Sequence, residues 1–251
     1  MENIVFATYV TNDDWKIKCA IPLRKSFKKF HKNLPFIIFQ SNQVNNIFDT
    51  NPNRNIRFSK PLLGKQLTDK YKKIILLDAD QLIVGPLDEL IEDNSDLAGV
   101  RSNDDGGMSI PCWAFETPKI PWQKYLNCGL CSVKNHNAFD LWDKLNRTIT
   151  PYMKDAEQGT WNELFYSKQF TTTLLDPVNS SVIYGTAANS HHWNRLYIDD
   201  KERIILNLTG IPKHVKILHR AGVGRIGSPD DKFRRNMFSK EIANYLDRLT
   251  S

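Results

Sequence analysis

Two aspartates separated by one residue follow an apolar run in KIILLDADQLIVG, residues 73–85. Asp78 and Asp80 emerge where the strand-like segment KIILL ends. Two carboxylates this close repel each other unless a positive charge lies between them. A divalent cation supplies that charge, and Mg²⁺ and Mn²⁺ both prefer oxygen ligands. We therefore expect Asp78 and Asp80 to be metal ligands.

The same pair admits two other interpretations. In haloacid-dehalogenase-like phosphatases the first aspartate of a D-x-D motif attacks a phosphate, and Asp78 would be that nucleophile. That motif usually has threonine where this chain has Leu82, and it usually lies near the N-terminus, whereas 77 residues precede Asp78. Such a phosphatase would also need a later acidic pair, for example Asp199 and Asp200. Alternatively, the two acids only cap a turn or pair with lysine.

The composition is that of an ordinary globular chain. The 251 residues are 41% hydrophobic and 25% charged, which suffices for one large domain spanning 1–251. No apolar stretch approaches the roughly 20 residues of a membrane-spanning helix, and no basic leader precedes MENIVFATYV. We expect a soluble, cytoplasmic protein. The net charge of +6 suits a phosphate-bearing ligand, an acidic surface or solubility, and no nucleic-acid-binding motif accompanies it.

Apolar clusters of strand length alternate with polar, helix-like stretches. The clusters lie near residues 3–10, 35–40, 73–77, 96–100, 125–133 and 215–219. This alternation predicts an α/β fold, and ligands of open α/β sheets bind outside the carboxyl ends of strands. Asp78 and Asp80 lie at such an end, and His219 ends another apolar run, HVKIL. The segment 101–122 is interpreted as a loop over the site.

The four cysteines do not suggest a disulfide framework. Cys128 and Cys131 form a C-x-x-C in YLNCGLCSV, which has the composition of a strand. Residues three apart in a regular strand face opposite sides of the sheet. We therefore do not expect these two thiols to share a metal or a disulfide.

Five stretches together resemble a known family. They are YVTNDDW (9–15), DADQLIVGPLDEL (78–90), LNCGLCSV (126–133), EQGTWNELF (157–165) and LHRAGVGR (218–225). In type and order they resemble the motifs of the glycogenin-like glycosyltransferases of family 8. This chain departs from the family pattern at three positions: Trp15 replaces tyrosine, Glu157 replaces aspartate and Arg225 replaces lysine.

The resemblance implies a fold and an activity. The fold is α/β, a single GT-A (Rossmann-like) domain with a mostly parallel mixed central sheet flanked by helices. A soft boundary would separate a nucleotide-binding half, 1–100, from a donor-sugar and acceptor half, 101–251. The activity is metal-dependent, retaining transfer of a hexose from a UDP-sugar to a carbohydrate, protein or lipid acceptor. Mn²⁺ or Mg²⁺ would be held by Asp78, Asp80 and His219, and the sequence leaves a homodimer open.

The resemblance also implies which residues bind the donor. Thr11 and Asn12 would contact the base or ribose and Trp15 would stack on uracil, although TNDDW also suits a helix N-cap. Arg225, in a glycine-rich loop, would clamp the diphosphate. The spacing does not decide whether Lys60 or Lys65 meets the donor, and Lys65 is slightly favoured. The full set is Ala7, Thr8, Val10, Thr11, Asn12, Trp15, Lys60, Lys65, Ala79, Asn127, Gly129, Gly222 and Arg225.

For catalysis, the resemblance points to the segment that contains Glu157 and Gln158. Glu157 would stabilise the positively charged sugar, hold its hydroxyls or act as a nucleophile. Asp155 is the alternative carboxylate. Glu157 would also complement the dipole of the helix that it begins, without any catalytic role. A catalytically silent UDP-sugar-binding module fits the departures at Glu157 and Arg225.

Overall fold

The computed structural model describes residues 2–10, 12–40, 59–101, 124–149, 156–175, 182–183, 195–207, 210–219 and 238–251. The strands in these ranges are β1 (Glu2–Val10), β2 (Phe36–Gln40), β3 (Tyr71–Leu77), β4 (Gln81–Ile83), β5 (Leu97–Arg101), β6 (Leu126–Val133), β7 (Thr172–Leu175), β8 (Val182–Ile183), β9 (Leu196–Ile198), β10 (Ile204–Asn207), β11 (Pro212–Val215) and β12 (Ile217–His219). The helices are α1 (Asp13–Trp15), α2 (Ile21–Phe30), α3 (Ser59–Leu67), α4 (Asp88–Glu92), α5 (Asn137–Ile149), α6 (Ala156–Phe165) and α7 (Lys240–Thr250), and a π-helical segment, Lys16–Ala20, joins α1 to α2.

The central sheet has six strands in the order β2-β1-β3-β6-β5-β7. Strand β1 pairs in parallel with β2 and β3, and β5 pairs in parallel with β7. Strand β6 runs antiparallel to both β3 and β5. The sheet is therefore mixed and mostly parallel, flanked by helices, as the sequence predicts. The parallel ends of β1 and β3 open on the same edge of the sheet, where Asp78 follows β3.

Both faces of the sheet are covered, and alternate residues of β1 show this directly. Val5 and Ala7 belong to a core cluster with Trp142 of α5 and Trp161 of α6. Phe6, between them, packs with Phe27 of α2 in a cluster on the other face. A strand buried on both faces is hydrophobic at every position, which explains why β1 and β3 appear as continuous apolar runs in the sequence.

The last predicted strand, 215–219, is divided at Lys216. Strand β11 pairs with β10 in a four-stranded sheet of order β8-β11-β10-β9, whereas β12 pairs with β4 in a two-stranded sheet. The carbonyl of Lys216, between them, accepts a hydrogen bond of 2.8 Å from the amide of Val84. Strand β12 runs antiparallel to β4 and places His219 opposite Gln81. This pairing brings the end of β12 next to the segment that follows Asp80.

The expectation that Cys128 and Cys131 face opposite sides of the sheet is wrong. Both thiols are buried, are free, and belong to the same core cluster. In the pairing of β5 with β6, Gly99 lies opposite Cys131, but the next residue, Val100, lies opposite Asn127. This bulge removes the strict alternation of a regular strand. Burial raises the pKa of both thiols, so they are unreactive core groups.

None of the helices in the described ranges has both the length and the apolar character needed to cross a membrane.

Candidate metal and donor site

The three predicted metal ligands lie together at the carboxyl end of β3. One ligand atom from each of Asp78, Asp80 and His219 lies within 4.8 Å of the others. The Nε2 atom of His219 is 3.3 Å from Asp80 Oδ1 and 3.6 Å from Asp78 Oδ2. Asp80 and His219 are buried, whereas the side chain of Asp78 is 34% exposed. The sequence prediction that these three side chains converge is confirmed.

One backbone carbonyl, that of Gly129 in the β6 bulge, anchors this group. It accepts a 2.9 Å hydrogen bond from the amide of Asp78 and a 3.0 Å hydrogen bond from Nε2 of Gln81. Gln81 lies opposite His219 in the β4–β12 pair. The bulge therefore fixes the positions of both sides of the metal-ligand group.

The carboxylates of Asp78 and Asp80 favour a positive charge between them. Burial by itself would lower the pKa of His219, but the nearby carboxylates of Asp80 and Asp78 raise it above its ordinary value. Burial by itself would raise the pKa of Asp78, but Lys60 and His219 hold it below its ordinary value. Without a metal, the raised pKa favours the protonated form of His219 beside the carboxylates. A cation that binds here displaces that proton, because a metal-ligating imidazole is neutral.

Two carboxylates and one imidazole fit a divalent transition metal. Imidazole suits Mn²⁺ better than Mg²⁺, which prefers an all-oxygen shell. Three protein ligands also leave coordination positions for ligand oxygens. The residues that would hold such an ion are Asp78, Asp80 and His219.

A cavity of about 380 Å³ adjoins the carboxylates. Its volume lies within the usual range for sites that bind cofactors and small ligands. It is bounded by the end of β1, by the start of α3 and by the segment after β3. The lining residues are Ala7, Thr8, Tyr9, Val10, Trp15, Ser59, Lys60, Leu63, Leu76, Leu77, Asp78, Ala79, Asp80 and Glu157. Seven of the predicted donor and catalytic positions line this cavity: Ala7, Thr8, Val10, Trp15, Lys60, Ala79 and Glu157.

Of the two candidate lysines, Lys60 lines the cavity, whereas the slightly favoured Lys65 is not among the lining residues. Lys60 reaches into the cavity, where its Nζ lies 2.6 Å from Asp78 Oδ1. Lys65 lies one and a half helical turns further along α3 and pairs with Asp140 at 2.7 Å and with Asp143 at 3.5 Å. The sequence spacing could not choose between them because it does not give the rotation of α3 about its axis.

Glu157 joins α6 to α3. Its Oε1 accepts a 2.9 Å hydrogen bond from the backbone amide of Lys60, and its Oε2 lies 3.5 Å from Lys60 Nζ. A free amide in the first turn of a helix needs such an acceptor, so Glu157 stabilises the N-terminus of α3. The structural role that the sequence indicates for Glu157 is only to complement the dipole of its own helix, because the contact with α3 depends on how the two helices pack.

Burial sets the protonation of Glu157. It raises the pKa of this carboxyl from 4.5 to about 7, although the charge of Lys60 opposes the shift. Lys60 remains charged, because Asp78 and Glu157 hold its pKa above its ordinary value despite burial. Glu157 is therefore close to half protonated near neutral pH.

This raised pKa predicts a pH-dependent stability. The folded protein holds the Glu157 proton more tightly than the unfolded chain, so the contribution is present in full below about pH 4.5 and is lost as the pH rises through about 7. The loss is on the order of 3 kcal/mol. We expect Glu157→Gln to flatten the decline in unfolding free energy between pH 5 and about 7, measured by urea denaturation with chelator present. An unchanged slope in the variant would contradict the assignment.

The remaining predicted donor residues fall into two groups. Asn12 caps α1, because its Oδ1 accepts a 2.9 Å hydrogen bond from the amide of Trp15. The N-cap interpretation of TNDDW is thus confirmed, and Trp15 nevertheless lines the cavity. Asn127 and Gln158 surround the β6 bulge: Asn127 Oδ1 accepts from the amide of Gly129 at 2.6 Å, and Gln158 Oε1 accepts from the amide of Cys128 at 3.3 Å.

Gly129 leaves no room for a side chain. A Cβ atom there would lie 2.4 Å from His219 Cε1, 2.6 Å from Asn127 Oδ1 and 2.9 Å from Gln81 Nε2. We expect Gly129→Ala to displace His219 and to weaken Mn²⁺ binding about 10–100-fold, the usual loss when the surroundings of a metal ligand are disturbed. Gly99→Ala, which crowds Leu126 in the same sheet, is the control and should keep its Mn²⁺ affinity. Equal affinities in calorimetry would disprove this role.

Several predicted features lie outside the described residues. These are Thr11, Asp155, Gly222, Arg225 and the greater part of the loop 101–122. Asp199, an example of the later acid that the phosphatase interpretation needs, follows β9, pairs with Arg203 and lines a different cavity from Asp78.

No protein family model matches this chain, and no curated protein sequence matches it. Several solved structures, in contrast, are similar to this chain in fold. The galactosyltransferase LgtC, in complex with donor and acceptor sugar analogs, has a TM-score of 0.61 at 15% identity over 99% of this chain and 95% of its own. A glycosyltransferase involved in glycosylation of the major capsid of PBCV-1 has a TM-score of 0.58 at 14% identity over 89% of this chain and 95% of its own. The chain has a GT-A glycosyltransferase fold.

A third structure supports the same fold. The bifunctional glycosyltransferase WbbM in its apo form has a TM-score of 0.59 at 16% identity, over 100% of this chain and 49% of its own. In this GT-A fold the Asp78, Asp80 and His219 group lies at the carboxyl end of β3, which pairs in parallel with β1. That is where open α/β sheets bind their ligands.

Proposed function

We propose that this protein is a metal-dependent, retaining glycosyltransferase that moves a hexose from a UDP-sugar to an acceptor. One observation carries the proposal: a potential metal centre of two carboxylates and an imidazole borders a cavity at the carboxyl end of β3. The likeness in fold to glycosyltransferases, one of them solved with donor and acceptor sugar analogs, supports it. A carbohydrate, protein or lipid is the acceptor class that we propose.

The residues around the cavity have roles in binding the donor. Trp15 offers an aromatic face to the uracil ring, and the end of β1, at Thr8 and Val10, borders the nucleoside. Asp78, Asp80 and His219 would hold the cation, which would offset the charge of the diphosphate leaving group. Arg225 would contribute a second positive charge to the same diphosphate.

We propose that residues at the start of α6 act on the donor sugar. Retention at the anomeric carbon requires a group that stabilises an oxocarbenium-like sugar on the face opposite the acceptor, or that attacks it. We propose Gln158 or Glu157 for this role, with Asn127 contacting the donor sugar. The carboxyl of Glu157 is already bonded to Lys60, which favours Gln158 as the group nearer the sugar and Glu157 as the residue that holds Lys60 in place.

Calorimetric titration tests the proposal. UDP and GDP are each titrated with Mn²⁺ and with chelator, and UDP-glucose and UDP-galactose are then assayed for release of UDP. We expect UDP binding that requires Mn²⁺, weaker binding of GDP, and slow hydrolysis or transfer of one sugar. Absence of UDP binding with Mn²⁺ present would overturn the proposal, and UDP binding without turnover of any donor would indicate a silent binding module.

A further inference from the structure

A second cavity, of about 500 Å³, lies against the four-stranded sheet. Lys216 lines it and precedes β12, whereas the metal ligand His219 ends β12. Three residues of extended chain separate the two positions, about 10 Å. The residues that line the second cavity and those that line the donor cavity are different. The proposed donor site therefore makes no use of this cavity.

The floor of the second cavity carries a positive charge and a buried ring nitrogen. Lys216 is 6% exposed, and no ion pair joins its ammonium to any residue that the structure describes. Beside it, Nε2 of His214 is buried without a hydrogen-bond partner among those residues. Burying a ring nitrogen without a partner is unfavourable. A bound anion would satisfy both groups, since it accepts hydrogen bonds from each.

The two acidic side chains that line the cavity do not take the place of a bound anion. The carboxylate of Asp199 is occupied by the guanidinium of Arg203, at 2.6 and 2.8 Å, and by the amides of Lys201 and Arg203. Glu89, the remaining acid of the lining, is exposed to solvent. Burial first, and then Lys216 and Arg203, lower the pKa of His214 to about 4, although Asp199 and Glu89 oppose the shift. His214 is therefore neutral near pH 7, and Lys216 and Arg203 are positive groups in the lining of the cavity.

The floor and the rim of the second cavity also have the shape of a ligand-binding site. Gly85 leaves the floor open, because a Cβ there would lie 2.9 Å from His214 Nε2 and 3.0 Å from Lys216 Cδ. At the rim, the ring of Tyr197 is 41% exposed, one of few large apolar side chains that the described part of the chain presents to solvent. An aromatic face above a polar floor suits a sugar ring.

We propose that this cavity is a second ligand site, which binds a small oxyanion, a carboxylate or phosphate group, on Lys216 and His214. The anion is either free or carried by a saccharide whose ring packs on Tyr197. The inference rests on this cavity alone and holds whether or not the protein transfers a sugar.

Nuclear magnetic resonance tests the site in the full chain. Inorganic phosphate, glucuronate and neutral glucose are titrated at constant ionic strength while the Gly85 amide and the His214 ring are observed. We expect saturable shifts with phosphate and with glucuronate, but none with glucose. No saturable shift with either anion, or an equal response to glucose, would overturn the proposal.

Variants locate the binding groups. We expect Lys216→Met to weaken anion binding about tenfold or more, since it removes a charged partner. Lys70→Met, which removes the same charge from an exposed position outside the cavity, should bind as the wild type does. Equal losses of anion affinity in the two variants would show that only the net charge of the protein matters, and they would overturn the proposal. If Lys216→Met does not fold, Gly85→Ala is used in its place, and retained affinity there would also overturn it.

Tyr197→Ala distinguishes the two sources of the anion. If the ligand is a sugar acid, this variant should lose glucuronate affinity and keep phosphate affinity. If both affinities are kept, the site takes the free oxyanion. UDP binding with Mn²⁺ is measured on the same samples and should not change in these variants, so failure of the second site and failure of the proposed transferase are separate results.

Discussion

Replacing Asp80 with asparagine is expected to abolish Mn²⁺-dependent UDP binding and, with it, sugar transfer. Asp80 is buried and lies 3.3 Å from His219, so its oxygen cannot be replaced by water without rearrangement of the site. The amide keeps the size of the side chain but removes the charge that holds the cation. Because disturbing only the surroundings of a ligand costs about 10–100-fold, we expect loss of a ligand to cost more than about 100-fold.

The control for this prediction is Asp69→Asn. Asp69 is exposed and follows α3, away from the cavity, so the same change of charge there should leave UDP and Mn²⁺ affinities as in the wild type. Both variants are compared by calorimetry, and circular dichroism checks that each is folded. Undiminished Mn²⁺-dependent binding in Asp80→Asn would show that the acidic pair has only a structural role.

Replacing Lys60 with methionine is expected to lower the free energy of unfolding by about 3–5 kcal/mol, the usual cost of removing one partner of a buried ion pair. Lys60 lies between Asp78, at 2.6 Å, and Glu157, at 3.5 Å. Asp78 is partly exposed to the cavity, so most of the cost arises at the buried Glu157. Urea denaturation at about pH 9, well above the Glu157 pKa of about 7 and therefore with this carboxyl ionised in the wild type, measures the loss with chelator present.

Two further measurements separate the two carboxylates. The double variant Lys60→Met/Glu157→Gln should recover most of the stability, because a neutral amide still accepts the hydrogen bond from the backbone amide of residue 60. Mn²⁺ should stabilise Lys60→Met more than the wild type, since the metal then replaces the positive charge of Lys60 beside Asp78. If the double variant is as unstable as the single one, the charge of Glu157 is not the cause.

The sequence by itself determined five of the six strands of the central sheet, which are β1, β2, β3, β5 and β6. The apolar runs that become β1, β3 and β6 are continuous because these strands are buried on both faces, and this pattern survives in a linear sequence. Chemistry-bearing side chains at the ends of such runs are therefore predictable. Asp78 and Asp80 follow β3, His219 ends β12, and all three meet as expected.

Only the tertiary structure decided the direction in which the side chains of α3, α6 and β6 point. The choice of Lys60 over Lys65 depends on the rotation of α3, and the contact of Glu157 with α3 depends on how α6 packs beside it. The shared environment of Cys128 and Cys131 depends on a bulge whose position is set by the pairing of β6 with β5. The second cavity forms where β11 leaves one sheet and β12 joins another. Register and rotation are decided by contacts between residues distant in the chain, and local composition carries little information about them.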